Sequence, residues 1–278
     1  MPPKAVIFDI GGVVVGSPVA AIGRVEKLWG LPQHYLNAAI TAAGPEGAFQ
    51  KLERGELEME DFYRRFRAEL SDVQKGNEAY RRYCARMGLN CPPLPKKLKI
   101  DGKELWSIMM DPATEPDPVV VIAINRLRAS RRFRVAALTN NFAPPGVKPT
   151  RHAPTPPYTH PISAEELRTA LKATAAEEEG GKKGAGNDLL RALFDEYIES
   201  CVEGMRKPDP RFFQLALDRL GVTAEETVFL DDIGHNLAAA AELGIKTIRV
   251  KHGKSREAIA ELEKLLDMDL GVERTSKL

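Results

Sequence analysis

The chain has 278 residues, 43% apolar and 28% charged, with 40 basic residues against 39 acidic ones. A net charge of +1 gives no general pull toward nucleic acid or an anionic membrane. No apolar run approaches the ~20 residues of a membrane span, and the length suits one large domain or a core with a smaller accessory domain.

In chain order, Ala5-Val6-Ile7-Phe8 reads as a buried strand ending on Asp9 and running into Gly11-Gly12. Residues 17–112 read as an inserted α-helical cap, with amphipathic spacing over 18–29, 33–43, 46–54, 59–70 and 76–87. Pro92-Pro93 and Pro95 interrupt its later part. A helix over 117–130 precedes a second strand, Val135-Ala136-Ala137-Leu138, which ends on Thr139-Asn140-Asn141. Residues 143–187, proline-rich and then Gly/charge-rich, are expected to form a low-complexity surface insertion with a helix over 163–176. Lys207 lies ahead of a helix over 209–220, opened by the N-cap Asp209 and by Pro210 at the first helical position. A third strand, Val228-Phe229-Leu230, ends on Asp231-Asp232. A helix over 235–243 and a fourth strand, Thr247-Ile248-Arg249-Val250, follow, and 251–278 reads as a C-terminal helix and tail.

Near-continuous apolar strands alternating with helices predict an α/β fold, a Rossmann-like doubly wound parallel sheet built from 1–16 and 113–250. Ligands of such folds bind beyond the carboxyl ends of the strands, where Asp9, Thr139-Asn140 and Asp231-Asp232 would meet. Carboxylates converging in one crevice repel unless a cation joins them, and hard oxygen ligands suit Mg2+. With Lys207 and hydroxyl and amide donors added, the set fits a phosphoryl group held for in-line attack, which makes a small-molecule phosphate the expected substrate.

Cys84, Cys91 and Cys201 read as reduced thiols of an intracellular protein rather than a disulfide framework. The final Ser276-Lys277-Leu278 matches the address read by the peroxisomal import receptor, so that receptor is an expected partner and the peroxisome the expected location; otherwise the location is cytoplasmic.

"FDIGGVV", "LTNN", "GMRKPDPRFF" and "FLDDIGHNL" resemble the four motifs of the haloacid dehalogenase superfamily. Within it, the cap and third-motif regions look like the N-terminal phosphatase domain of soluble epoxide hydrolases and the similar domain fused to some acyl-CoA dehydrogenases. The resemblance implies that Asp9 is a nucleophile forming an aspartyl-phosphate, and that Thr139 and the Asn140 backbone hold phosphoryl oxygens. It implies further that Lys207 neutralises the phosphoryl group, and that Asp232, supported by Asp231, binds Mg2+ with Asp9 and the Gly11 carbonyl. Phosphatases of this superfamily usually carry an acidic residue where Gly11 stands, and glycine cannot donate a proton to the leaving oxygen. General acid assistance is worth about 10²–10⁴-fold. Three readings therefore stay open: a Mg2+-dependent phosphatase on a small or lipid-derived phosphate, a catalytically weak phosphate-binding or interaction module, and a dehalogenase-type hydrolase. The retained Asp231-Asp232 pair argues against the third. His235 is a candidate replacement donor, against a plain helix-start residue in solvent.

Overall fold

Ala5, Val6, Ile7 and Phe8 are fully buried and form β1 (Ala5–Phe8), the centre of a five-stranded parallel sheet. The computed structural model describes residues 1–143, 150, 160–179 and 186–272. Most of the proline-rich stretch after Asn141, the glycine-rich run over 180–185 and the terminal Ser276-Lys277-Leu278 lie outside the described residues. The other strands are β2 (Arg134–Thr139), β3 (Glu196–Glu199), β4 (Thr227–Asp231) and β5 (Lys246–Arg249), in the order β3-β2-β1-β4-β5. β1 pairs with β2 on one side and β4 on the other, with Phe8 opposite both Ala137 and Leu230. The chain runs outward from β1 to β2 and β3 and then crosses to β4 on the other side, which puts the switch point of the sheet at the carboxyl ends of β1 and β4.

Between β1 and β2 run α1 (Pro18–Leu28), α2 (Tyr35–Ala42), α3 (Ala48–Glu53), α4 (Met59–Ser71), α5 (Val73–Met87), α6 (Gly102–Met110) and α7 (Pro118–Ser130). Later come α8 (Ala164–Glu179), α9 (Gly186–Ala192), α10 (Ser200–Glu203), α11 (Pro210–Leu220), α12 (Gly234–Glu242) and α13 (Ser255–Leu266). Successive strand residues point to opposite faces. Val6, Phe8, Val135, Ala137, Val228 and Leu230 share one apolar cluster with α7, α8, α9 and α13. Ala5, Ile7, Ala136, Leu138 and Phe229 share another with α11 and α12. A third cluster belongs to α1–α6, where Ile22, Leu36, Leu52, Phe62, Phe66 and Trp106 pack together. This helical layer joins the sheet through two crossing segments, stitched by Gly16 N–H to Glu115 O at 3.0 Å and Asp117 N–H to Val14 O at 2.8 Å.

Two elements depart from the sequence reading. β3 has no apolar run of its own: Glu196 and Glu199 flank Tyr197 and Ile198, and pairing with β2 rather than hydrophobicity makes it a strand. The expectation that 143–187 is a surface excursion is corrected at α8. Ile162, Leu167 and Leu171 form an apolar stripe buried in the core, and Asn125 pins the entry through Ile162 O at 2.7 Å. The low-complexity composition of its neighbours hid that stripe. Among the described residues no helix is long and apolar enough to cross a membrane.

Candidate active site

Asp9 leaves the end of β1 with its own N–H bonded to Leu230 O at 2.8 Å, which fixes it beside β4. Lys207 is fully buried, and its Nζ lies 2.8 Å from Asp9 Oδ1 and 2.8 Å from Asp231 Oδ2. Oδ1 of Asp9 also accepts the Ile10 N–H at 2.7 Å. Asp231 is saturated: Oδ1 accepts from Ile233 N at 2.7 Å, and Asn236 Nδ2 reaches Oδ1 at 3.2 Å and Oδ2 at 3.1 Å.

Asp232 differs. Its Oδ2 accepts the Ser17 hydroxyl at 3.3 Å, while Oδ1 is buried with no hydrogen-bond partner among the described residues. Oxygens of Asp9, Asp231 and Asp232 lie within 4.8 Å of one another, so three carboxylates share a crevice into which one lysine reaches. Burial, opposed by Lys207 and reinforced by Asp231 and Asp232, holds the Asp9 carboxyl well above its ordinary range. Burial and then Asp231 push Asp232 up to about 6. For Lys207, burial opposes the charge, but Asp231 and Asp9 outweigh it and raise the pKa. The surplus negative charge and the orphaned Asp232 oxygen fit a hard divalent cation.

The turn carrying Gly11 is shaped by that cluster. Gly12 adopts φ 90°, and a Cβ built on it would fall 2.3 Å from Asp232 Oδ2, so only glycine fits. A Cβ on Gly11 would meet Pro18 Cδ at 3.3 Å, a contact that a small shift of the ring relieves. Thr139 is buried at the end of β2. The Asn140 side chain grips the Lys207 backbone instead of facing away: Lys207 N–H donates to Oδ1 at 2.8 Å and Nδ2 donates to Lys207 O at 3.0 Å. The geometry thus puts Lys207 in contact with Asp9 and Asp231, sets Asp232 within 4.8 Å of both carboxylates, and links Asn140 to Lys207. His235 lies in the first turn of α12, its imidazole held below its ordinary range by partial desolvation of the ring and by Arg206.

Beyond the strand ends, Phe142 packs edge-on against Trp106 of α6 at 4.5 Å, and Phe49 of α3 meets Trp106 at 6.2 Å. Sequence reading missed this link, and also missed the Asn141 contacts, where Nδ2 donates to Glu199 Oε1 at 2.7 Å and the backbone N–H to Ser200 Oγ at 2.9 Å. A second Asn after a strand-end Thr-Asn is the signal that could have marked them.

Residues 3–244 match the family described as haloacid dehalogenase-like hydrolase. The chain is 32% identical over 278 residues to mouse acyl-CoA dehydrogenase family member 10, covering 98% of this chain and 20% of that protein. It is 29% identical over 263 residues to mouse bifunctional epoxide hydrolase 2, covering 94% of this chain and 38% of that one. The chain therefore spans about a fifth to two fifths of the length of these relatives. A solved HAD-like family hydrolase from Porphyromonas gingivalis aligns over 97% of this chain and 100% of its own, with a TM-score of 0.51 at 20% identity.

Proposed function

Because the chain belongs to the haloacid dehalogenase-like hydrolases, we propose that it is a Mg2+-dependent phosphatase acting through an aspartyl-phosphate on Asp9. The observation that carries this reading is the carboxylate cluster, with Lys207 bridging two members and a buried oxygen of the third without a hydrogen-bond partner among the described residues. Asp9, Asp232 and the Gly11 carbonyl are the groups proposed to hold the ion. Asp231, with both oxygens engaged, orients Lys207 and the turn into α12. Mg2+ in that position supplies positive charge to the transferring phosphoryl oxygens.

Both contacts to the Asp9 carboxylate fall on Oδ1, which leaves Oδ2 as the oxygen that attacks phosphorus in line with the leaving oxygen. Lys207 favours the ionised nucleophile against the opposing effect of burial and holds it in place. Thr139 and the Asn140 backbone stand at the end of β2 to bind phosphoryl oxygens, while the Asn140 side chain maintains the lysine loop. No side chain at Gly11 protonates the leaving oxygen, and general acid assistance is worth about 10²–10⁴-fold, or roughly 3–5 kcal/mol. The enzyme therefore favours aryl, acyl or pyrophosphate leaving groups over simple alkoxides. The apolar rings Phe49, Trp106 and Phe142 beside the strand ends favour an organic phosphate with a hydrophobic, lipid-like part.

Gly11 also favours a second reading, in which the site binds phosphate esters with negligible turnover. One experiment separates the two. Purified protein with Mg2+ hydrolyses an aryl phosphate, and Asp9→Asn reduces the rate to background. Equal rates for the two proteins, or turnover that survives removal of Mg2+ by chelation, refute the phosphatase reading.

A further inference from the structure

The charged residues around the end of α3 sort into two kinds. Lys51 pairs with Glu46 at 2.8 Å and Arg54 with Glu56 at 2.6 Å, all within the helical layer. Glu53 instead reaches across to the sheet side: its Oε2 lies 2.6 Å from Nε of Arg206, the residue immediately before Lys207. The Glu53 side chain is 8% exposed and that of Arg206 22%, so the pair is largely shielded from water and its attraction little screened. Burial raises the Glu53 carboxyl above its ordinary range, opposed by Arg206 and then by Lys207, which places the carboxylate in the field of both cations. A charge buried this deeply is costly unless paired, and an apolar residue would hold two packed surfaces together at less cost.

The loop that receives this contact is also held by other segments. The Asn140 amide binds both the N–H and the C=O of Lys207, and Arg219 pairs with Glu203 at 2.6 Å at the base of the same loop. Lys207 Nζ must stand 2.8 Å from two carboxylates at once, so a displacement of an ångström in this loop breaks one of the two contacts. Glu53 is the helical layer's ionic handle on that loop.

We infer that Glu53 is a positioning residue: its ion pair with Arg206 couples the seating of the helical layer to the placement of Lys207 between Asp9 and Asp231. Seating the layer over the strand ends and setting the lysine are then one event. The consequence for rate rests on the phosphatase reading; the coupling itself does not.

The test uses the full chain and compares Glu53→Gln, Arg206→Gln, the double variant and Arg206→Lys, all at a temperature where each is folded. With 4-nitrophenyl phosphate and Mg2+, each single neutral variant lowers kcat by about 10–50-fold while KM moves less than about threefold, and the double loses no more than the worse single. Arg206→Lys, which keeps the charge, stays within about fivefold of the parent. Unchanged kcat, or losses that multiply in the double, overturn the inference. Amide hydrogen exchange on the metal-free protein decides it independently of turnover. Glu53→Gln speeds exchange at 205–207 and along α3 by about tenfold or more and leaves β5 unchanged. If the chain hydrolyses no phosphate, the phosphatase reading fails and this exchange result still stands or falls alone. Protection at 205–207 equal to that of the parent overturns the coupling even in an active phosphatase.

Discussion

On one side of the carboxylate cluster, Asp231 has both oxygens engaged by Lys207, Asn236 and the Ile233 amide, and Asp9 is tied through Oδ1 to Lys207 and Ile10. On the other side, Asp232 has a 3.3 Å contact from the Ser17 hydroxyl and a buried oxygen with no hydrogen-bond partner among the described residues. The first half finds its hydrogen-bond and ion-pair partners within the chain, and the second finds fewer. A buried carboxylate oxygen without a hydrogen-bond partner carries a cost, which a bound cation would offset.

Breaking the first half gives the largest effect. Lys207→Met leaves Asp9 and Asp231 buried without a counter-charge and lowers unfolding free energy by about 3–5 kcal/mol, read by urea denaturation at pH 7. A loss no larger than that of a surface lysine would remove the claim that this half finds its partners within the chain. Restoring an acid beside the second half comes next. Gly11→Asp raises kcat on an alkyl phosphate by about 10–100-fold and on an aryl phosphate by less than about threefold. Equal gains on both esters would refute the account of the missing acid.

Relieving the second half has a smaller effect, of opposite sign. Because burial raises the Asp232 pKa to about 6, its ionised form is disfavoured in the metal-free fold. The penalty is fully present at pH 7, shrinks as pH falls through about 6, and is gone below the ordinary carboxylate pKa. Asp232→Asn therefore stabilises the metal-free protein by about 1–2 kcal/mol at pH 7, with the gain lost by pH 4, and abolishes the thermal shift given by Mg2+. The same group sets the smallest effect. On the proposed Mg2+ reading, the ion must displace this proton below about pH 6, so its affinity, measured by calorimetry, falls at least about tenfold per pH unit there.

How much of this could be read from the sequence follows the same division. Asp9, Thr139, Lys207 and Asp231-Asp232 each stand at the end of an apolar strand or ahead of a capped helix, and such punctuation survives in one dimension. β3 was not legible, because its glutamates mask a strand defined by its neighbour. Nor were the contacts that connect distant segments. The Asn140 grip on Lys207 spans 67 residues, and the Glu53–Arg206 pair unites two stretches far apart in the chain. In α8, composition misled, since a buried stripe of Ile162, Leu167 and Leu171 sits between segments of low complexity.

The adjacent glycines of the first turn have different evolutionary standing. At Gly12 any side chain collides with Asp232, so a saturation library should return glycine there from a selection for folded protein. Gly11 faces only the edge of a proline ring. An aspartate codon is a single base away from two of the four glycine codons, and such a lineage can cross between acid-free and acid-bearing forms in one step.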